Sequence, residues 1–247
     1  MLITSLDNDR IKGYIKLKDR KYRKKTNTYL VEGRHLVLEA YKNNKIIELI
    51  LEKDEVLPLD LPTVYVTNEI ISRISEMDTP STVMALCKLE EEGELKGDKI
   101  LMLDGVQDPG NLGTIIRSSL AFNVDTIVLS PECVDLYNPK VIRSTQGMMF
   151  GINIIRQELE PIIEKLKEQE IPVYGTRVEF GEDVTNLKDK DKRKYALVMG
   201  NEGQGVRREI LDMCDKYLFI DMNDQVESLN VAVATSILLY EFNKVGE

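Results

Sequence analysis

The sequence predicts an α/β protein in which a parallel sheet follows a smaller α/β domain. After residue 98, short segments of almost continuous apolar residues alternate with helical patterns. Strands of this kind, separated by helices, are typical of a parallel sheet that is covered on both faces. The acidic, glycine-bearing stretch at 90–98 interrupts this pattern and indicates a linker. We therefore predict a first domain at 1–92, a linker at 93–98 and a second domain at 99–247.

The spacing of apolar residues assigns the individual elements. The first domain is predicted to contain, in chain order, a helix at 33–44, strands at 45–51 and 63–66, a helix at 69–75 and a strand at 82–86. The second is predicted to contain strands at 100–103, 126–129, 171–174, 196–199 and 217–220. Its predicted helices cover 112–122, 139–145, 161–168, 206–213 and 229–242. One helix start is marked by Asn138 before Pro139, a capping residue followed by proline at the first helical position.

Composition excludes several classes of function. Hydrophobic residues make up 43% and charged residues 30% of the chain, so an ordinary core can form. The N-terminus lacks a signal-peptide pattern and no run approaches about 20 apolar residues, so we expect neither secretion nor a membrane partner. Three scattered cysteines fit a reducing, cytoplasmic compartment. With one histidine and no CxxC pair, we expect neither a bound metal nor a His-dependent nucleophilic triad.

The charge distribution is uneven. The formal net charge is −9, yet residues 1–34 contain ten lysines and arginines against four acidic residues. A basic arm on an acidic body can bind the phosphates of a nucleic acid. The same charges are also compatible with an ordinary solvated helix face, and charge alone does not separate these two interpretations.

Residues 104–117 form the first candidate functional segment. The segment begins where a predicted strand ends and continues into a helix, which is where open α/β sheets bind ligands. Asn111 fits either a helix cap or a functional role. Arg117 lies within two turns of it among apolar residues, so we expect an anionic partner, either a carboxylate or a bound phosphate.

Residues 199–207 form the second candidate segment. Its three glycines between a strand and a helix indicate a close approach of backbone to a ligand. The G-x-x-G-x-G spacing is not that of the dinucleotide fingerprint. Val206 and Arg207 stand where a Walker motif needs Lys and Ser or Thr, which disfavours nucleoside triphosphates. A simple turn explains the glycines but not Glu202 among them.

The third candidate segment covers residues 220–234. A predicted strand ends in a polar loop, and Ser228 is the expected N-cap of the long C-terminal helix. Asn230 precedes the small residues Ala232 and Ala234, which indicates close packing against another part of the chain.

Together the three segments resemble the three motifs of the SpoU branch of the SPOUT superfamily, S-adenosylmethionine-dependent RNA ribose 2′-O-methyltransferases. The matching strings are DPGNLGTIIRS, VMGNEGQGV and ESLNVAVATSILLYE, and their order and spacing agree with the family. The first domain resembles the family's small substrate-binding domain, which is built like certain ribosomal RNA-binding proteins. The strings that carry this second resemblance are YLVEG at 29–33 and TPSTVMA at 79–85, where many relatives have TPQG in place of TPST.

The resemblance implies a fold and a donor site. The second domain would thread its C-terminal end through a deep trefoil knot, which pattern reasoning does not propose because knots are almost absent from proteins. By residue match, the S-adenosylmethionine pocket would be lined by Gly200, Ile220 and Leu229, with Thr176, Met222 and Asn230 nearby. We expect glycine at 200 because a side chain would keep the donor's adenine or ribose from the backbone.

The resemblance also implies catalytic roles. The family residue that matches Arg117 is often proposed to assist deprotonation of the ribose 2′-hydroxyl. Because a guanidinium is effectively always protonated, we expect Arg117 instead to hold a substrate phosphate and stabilise developing alkoxide charge. The residues expected to orient Arg117 and the ribose are Asn111, Glu202, Ser228 and Asn230.

The expected partner is structured RNA, since only RNA offers the 2′-hydroxyl. Ribosomal RNA is favoured because relatives with a separate N-terminal domain typically act there, and the family implies a homodimer. The residues expected to contact RNA are Arg20, Lys21, Arg23, Lys24, Lys25 and Arg34. Three alternatives remain open: a transfer-RNA methyltransferase, a catalytically inactive RNA-binding relative, and, without the resemblance, an α/β enzyme with a small anionic substrate.

Overall fold

A computed structural model describes residues 1–90, 93–178, 181–223 and 225–244. The chain divides into two compact units. The first comprises Met1–Glu91 and Asp135–Phe150, and the second comprises Glu92–Val134 and Gly151–Glu247. The sequence predicts residues 135–150 within the second domain, but this segment folds with the first unit. Glu91 and Glu92 of the predicted acidic stretch lie outside the described residues.

The elements are numbered in chain order. The strands are β1 (Leu2–Ile3), β2 (Thr28–Glu32), β3 (Ile46–Glu52), β4 (Thr63–Val66), β5 (Val83–Lys88), β6 (Lys99–Leu103), β7 (Thr126–Leu129), β8 (Asn153–Arg156), β9 (Val173–Thr176), β10 (Glu182–Asp183), β11 (Tyr195–Met199) and β12 (Lys216–Phe219). The helices are α1 (Asp9–Lys16), α2 (Arg20–Thr26), α3 (Arg34–Lys42), α4 (Asn68–Ile74), α5 (Pro109–Ala121), α6 (Pro139–Thr145), α7 (Leu159–Glu168), α8 (Asp189–Arg193), α9 (Arg208–Leu211) and α10 (Val231–Asn243). Short 3₁₀ turns cover Met148–Phe150 and Val184–Asn186.

The first unit is built on a five-stranded sheet in the order β1-β4-β3-β5-β2. β5 runs antiparallel to β2 and β3, whereas β4 runs parallel to β1 and β3. α1 and α4 bury Ile11, Tyr14, Ile70 and Ile71 against the sheet. The five elements predicted here are confirmed, with most ends shifted by one or two residues, while β1, β2, α1 and α2 are additional. α1 starts at Asn8, whose side chain accepts a hydrogen bond from the backbone N–H of Arg10.

Segment 135–150 belongs to the first unit through aromatic and ionic contacts. Tyr137 packs on Tyr29 with ring centroids 4.7 Å apart. Arg23 donates to Asp135 over 2.6 Å. Gly147 has φ of +85°, and a Cβ there would lie 2.6 Å from the Cβ of Glu39, so glycine is required. The helix at 139–145 is therefore predicted correctly as an element, but it covers the first unit instead of the second.

The second unit contains a seven-stranded sheet in the order β10-β12-β9-β11-β6-β7-β8, in which every pairing is parallel. The predicted parallel α/β sheet is confirmed. All five residues of the central strand β11 are buried, as its continuous apolar sequence requires. The edge strands β8 and β10 are additional, because each is short and partly exposed and shows little of the apolar pattern of a buried strand.

The sheet order places the candidate segments together. β6, β11, β9 and β12 are consecutive neighbours, and parallel strands present their carboxyl ends at one edge. The three candidate segments follow β6, β11 and β12, so their loops leave from the same edge, with β9 between β11 and β12. The helices after the first and third segments, α5 and α10, pack together, with the Ser118 and Ser236 hydroxyls 2.7 Å apart.

Two further features concern the described residues, 1–90, 93–178, 181–223 and 225–244. No helix found there is both long and apolar enough to cross a membrane. Within the same ranges, no group of three or more His, Cys, Asp and Glu side chains is arranged to hold a metal ion.

Candidate active site

Asp108 begins α5 and leaves the side chain of Asn111 free for other contacts. The Asp108 carboxylate accepts a hydrogen bond from the backbone N–H of Asn111 over 2.8 Å, and Pro109 occupies the first helical position. The helix therefore starts three residues before the predicted Leu112. The interpretation of Asn111 as a helix cap is wrong, because Asp108 fills that role. Asn111 lies in the first turn, where its amide can bond to other loops.

The loop after β11 folds into a tight hairpin. Asn201 and Gly205 exchange backbone hydrogen bonds of 3.0 and 2.9 Å. A Cβ at Gly200 would lie 2.0 Å from the carbonyl carbon of Gly205, so position 200 must be glycine for this loop to close. The sequence predicts glycine here because a ligand approaches the backbone, whereas the structure shows that the loop itself occupies the space.

The third segment is capped by Asn230, not by Ser228. The Asn230 Oδ1 accepts hydrogen bonds from the backbone N–H groups of Ala232 and Val233 over 2.9 and 3.3 Å. α10 accordingly begins at Val231, and Ser228 is an exposed loop residue. The predicted Ser228 cap is wrong. Ser228 and Asn230 are both good capping residues, and the helix uses Asn230, which also donates a hydrogen bond to Asn111.

Three predicted site residues form one hydrogen-bonded network. The Asn230 Nδ2 donates to the Asn111 Oδ1 over 2.9 Å, and the Asn111 Nδ2 donates to the Glu202 Oε1 over 3.0 Å. The direction of these bonds is fixed: Asn230 uses its oxygen to cap α10, so its NH₂ group must face Asn111. The Asn111 amide oxygen then faces Asn230, and its NH₂ group faces Glu202. One residue from each candidate segment takes part.

The carboxylate of Glu202 is stabilised in its charged form. Burial alone would raise its pKa, but hydrogen bonds from the Asn111 side chain and from the backbone N–H groups of Asp108 and Gln107 lower the pKa below its ordinary value of 4.5. The two backbone donors lie 3.2 and 3.3 Å from the carboxylate oxygens. Glu202 is therefore an ionised acceptor at neutral pH, held by the loop that leads into α5.

Arg117 is an exposed cation on α5. Among the residues that the structure describes, it makes no ion pair, so the expected carboxylate partner is not found there. It lies six residues beyond Asn111, about 9 Å along the helix axis at the usual rise. An unpaired guanidinium at this position is available to bind an external anion such as a phosphate.

The residues expected to line the donor pocket lie at or beyond the carboxyl ends of neighbouring strands. Thr176 ends β9 and donates its hydroxyl to the carbonyl of Val198 over 2.8 Å. Gly200 follows β11 and Ile220 follows β12, on the two sides of β9. This edge therefore brings Thr176, Gly200 and Ile220 together.

Met222 and Leu229 are two further residues expected at that pocket. Both side chains are half-buried. Their backbone N–H groups form no backbone–backbone hydrogen bond with any described residue. Open amide groups beside apolar side chains fit an adenine ring, which needs hydrogen-bonding edges and apolar faces. The residues present are therefore compatible with S-adenosylmethionine.

The comparisons with known proteins agree with this geometry. The SpoU rRNA Methylase family matches residues 98–240, and the MRM3-like substrate binding domain matches residues 8–85. The chain belongs to the SpoU family. It is 40% identical over 96% of its length to the 23S rRNA (guanosine(2553)-2′-O)-methyltransferase RlmP of Bacillus subtilis, of which the match covers 97%.

Solved structures resemble the chain over almost its full length. An AdoMet-bound rRNA methyltransferase from Sinorhizobium meliloti matches with a TM-score of 0.87 and 28% identity, covering 98% of this chain and 97% of that one. An RNA 2′-O ribose methyltransferase matches with a TM-score of 0.83 and 28% identity, covering 98% of both chains. These similarities extend over both units of this SpoU-family protein.

The basic arm of the SpoU-family chain divides into exposed and structural residues. Arg23 is only 4% exposed and donates to the carbonyls of Leu17 and Lys18 as well as to Asp135. Its predicted role as an RNA contact is wrong, because its guanidinium is used inside the first unit. The exposed lysines of α2 remain candidates for phosphate contacts: Lys21, Lys24 and Lys25.

The other two predicted RNA contacts are partly committed to protein partners. Arg20 lies 3.6 Å from Asp135, and Arg34 donates to Glu55 over 2.6 Å and to the Val56 carbonyl over 3.1 Å. Both side chains are about half exposed, so each retains open donor groups.

The residues that hold the loops of this site are not among those predicted from the sequence. Asp104 is buried at the end of β6 and accepts two hydrogen bonds from Arg207, both 2.8 Å long. Asn201 donates to the Gly105 carbonyl over 2.7 Å. The role of Asp104 could have been suspected from the sequence, because it is a charged residue directly after a buried strand. Nothing in the sequence indicates its pairing with Arg207.

Proposed function

We propose that this SpoU-family chain transfers the methyl group of S-adenosylmethionine to a ribose 2′-hydroxyl of RNA, with ribosomal RNA as the substrate. The observation that carries the proposal is the Asn230–Asn111–Glu202 network, which joins all three family motifs at the carboxyl edge of the sheet. The rRNA activity of the Bacillus subtilis relative, which matches over both units, supports the choice of substrate.

S-adenosylmethionine, when bound, supplies a methyl group on a positively charged sulfur. The chain's own residues must then position the 2′-hydroxyl in line with that methyl group and stabilise the charge on its oxygen. Arg117 performs the second task, since its guanidinium stays protonated and is exposed for a phosphate or an alkoxide. Asn111 and Asn230 hold Glu202 in a single orientation beside the start of α5. Ser228, exposed in the preceding loop, is the remaining candidate for a ribose contact.

The donor would be held chiefly by backbone groups. Gly200, Ile220 and Leu229 follow or precede ordered elements at this edge, with Thr176 and Met222 beside them. In the first unit, the exposed lysines of α2 would bind RNA phosphates, and this unit would select the target nucleotide.

Family membership supports three finer proposals: a deep trefoil knot in the second unit, a cytoplasmic location and a homodimer. The side chains of Val233 and Tyr240 on α10 are 48% and 50% exposed, beside Thr114 of α5, and form an apolar surface that a second copy could cover. Most other apolar residues of α10, including Leu238, Leu239 and Phe242, are buried within the unit. Sedimentation equilibrium of the full chain tests the dimer.

The deciding experiment incubates the full chain with methyl-labelled S-adenosylmethionine and, separately, ribosomal and transfer RNA. We expect label in ribosomal RNA, located at a ribose by nuclease mapping. Arg117→Ala should lose most of the turnover, while calorimetry shows unchanged donor binding. Label in transfer RNA alone would contradict the substrate, and donor binding without transfer to any RNA would identify an inactive relative. Unchanged turnover of Arg117→Ala would remove Arg117 from the mechanism.

A further inference from the structure

The carboxylate of Asp104 is the most deeply buried charge next to the site. Its residue is 2% exposed, and it follows β6 directly. It accepts one hydrogen bond from the Arg207 backbone N–H and another from the Arg207 Nε, each 2.8 Å long. Burying a carboxylate is costly unless it is paired and hydrogen-bonded. Removal of either Asp104 or Arg207 would therefore destabilise the other.

The Asp104–Arg207 pair is one of two anchors on the loop that carries Glu202. The other is Asn201, whose Nδ2 donates to the Gly105 carbonyl over 2.7 Å while its Oδ1 accepts from the backbone N–H groups of Gly203 and Gln204. Both anchors attach the loop to consecutive residues at the end of β6. Glu202 lies between them along the chain.

The Asn201 anchor cannot replace the Asp104–Arg207 pair, because Arg207 has other acidic neighbours that would attract its guanidinium if Asp104 were removed. Its NH1 lies 3.7 Å from both Glu160 and Glu209, and its NH2 is buried without a hydrogen-bond partner among the described residues. Without Asp104, the guanidinium would be drawn towards these more exposed carboxylates. The end of the loop would then move away from β6.

We infer that Asp104 is a positioning residue for methyl transfer, acting through Arg207 to hold Glu202 against the start of α5. This inference rests on the proposed function. Glu202 receives its three hydrogen bonds from Gln107, Asp108 and Asn111, all of which follow Asp104 on the same stretch of chain. Asp104 thus fixes both the loop that carries Glu202 and the start of the segment that supplies its donors.

A double-mutant cycle tests the inference in the full chain. Asp104→Asn keeps the size of the side chain and removes its charge, and Glu202→Gln removes the group on which Asp104 is inferred to act. We expect each to lower kcat roughly 100-fold, the effect of a small misplacement at a reacting centre. The double variant should be no slower than the slower single variant. Losses that multiply would overturn the inference, because Asp104 would then act independently of Glu202.

A second measurement does not depend on turnover. Carboxyl NMR of Glu202 should show a lower pKa in the native chain than in Asp104→Asn, where its donors are displaced. An unchanged Glu202 pKa in that variant would overturn the positioning role even if methyl transfer occurs. If the native chain transfers no methyl group while the pKa moves as expected, the proposed function fails, and Asp104 positions Glu202 for a purpose other than methyl transfer.

A matched control lies directly after the neighbouring helix α9, at its C-cap. Asp212 forms an exposed pair with Arg208 at 3.8 Å, and its side chain is 63% exposed. Asp212→Asn removes one charge close to the same loop without touching a buried group. It should leave both kcat and the Glu202 pKa unchanged. A loss equal to that of Asp104→Asn would show that net charge, not positioning, controls the rate, and would overturn the inference.

Discussion

Replacing Asn230 by Asp separates the stability of α10 from the alignment of the site. The Asn230 Oδ1 caps α10, and aspartate caps a helix as well as asparagine does. The Nδ2, however, is the only atom of Asn230 that donates to Asn111, and aspartate has no such donor. Two oxygens would face each other unless Asn111 rotates, and rotation would turn its oxygen towards the Glu202 carboxylate.

The expected cost follows from these contacts. The capping contribution to stability should change by no more than about 0.5 kcal/mol, because the cap is kept and a negative charge at a helix N-terminus is favourable. The site loses the hydrogen bond between Asn230 and Asn111. If Asn111 rotates, it presents its oxygen to Glu202 in place of its NH₂ group. Together these changes cost about 1.5–3 kcal/mol. This corresponds to roughly a 10- to 100-fold fall in kcat/KM.

The assay combines thermal unfolding with methyl transfer to ribosomal RNA. Asn138→Asp provides the control, because Asn138 caps α6 with the same atom and its amide nitrogen has no described partner. That control should keep both the melting temperature and the rate. The reasoning would be refuted if Asn230→Asp kept full kcat/KM, or if its rate fell only in proportion to a lower melting temperature.

Four further substitutions test separate features. Gly200→Ala should lower the free energy of unfolding by at least about 3 kcal/mol, because its Cβ would lie 2.0 Å from backbone, and calorimetry should detect no donor binding. Gly203→Ala is the control and should be tolerated, because the nearest atom to its Cβ would be 3.7 Å away. Arg23→Gln should lower the free energy of unfolding by about 1–3 kcal/mol, because the partly buried Asp135 carboxylate loses its 2.6 Å partner and keeps Arg20 at 3.6 Å. Lys24→Gln should leave stability unchanged and reduce the salt dependence of RNA binding by a slope of about 0.7–0.9. The pKa of Glu202 is lower in the native state than its ordinary value of 4.5. This difference stabilises the native state at pH values above 4.5, and the stabilisation is lost as the pH falls through the lowered pKa. Glu202→Gln should remove that part of the pH dependence of unfolding.

The parallel sheet could be predicted because its central strands are buried on both faces and therefore read as continuous apolar runs. β7 and β11 show this pattern along their whole length. The start of α5 could also have been predicted, since Asp108 before Pro109 repeats the pattern that identifies Asn138 before Pro139 as the start of α6. Asn111 is interpreted as a possible cap of this helix because asparagine is also a good capping residue. Where two such residues stand close together, proline at the first helical position decides between them.

Other features depend on contacts that no local pattern carries. Ser228 and Asn230 are equally good caps, and only the bond from Asn230 to Asn111 distinguishes them. Arg23 and Lys24 are neighbours in the same basic run, but one is buried on Asp135 and the other is exposed. The placement of α6 in the first unit was likewise inaccessible, because periodicity locates a helix without specifying which core its apolar face covers.

The assignment of residues 135–150 to the first unit has a consequence for biosynthesis. Tyr29 is 1% exposed, and part of its cover is the Tyr137 ring, which the ribosome adds more than a hundred residues later. At about 5–20 residues per second, the nascent N-terminal portion waits roughly 3–12 s between Glu91 and Phe150 before its core can close. During that interval the Tyr29 ring and the Arg23 guanidinium lack their final partners, Tyr137 and Asp135. The first unit can therefore be completed only after residues 92–134 of the second unit have been synthesised.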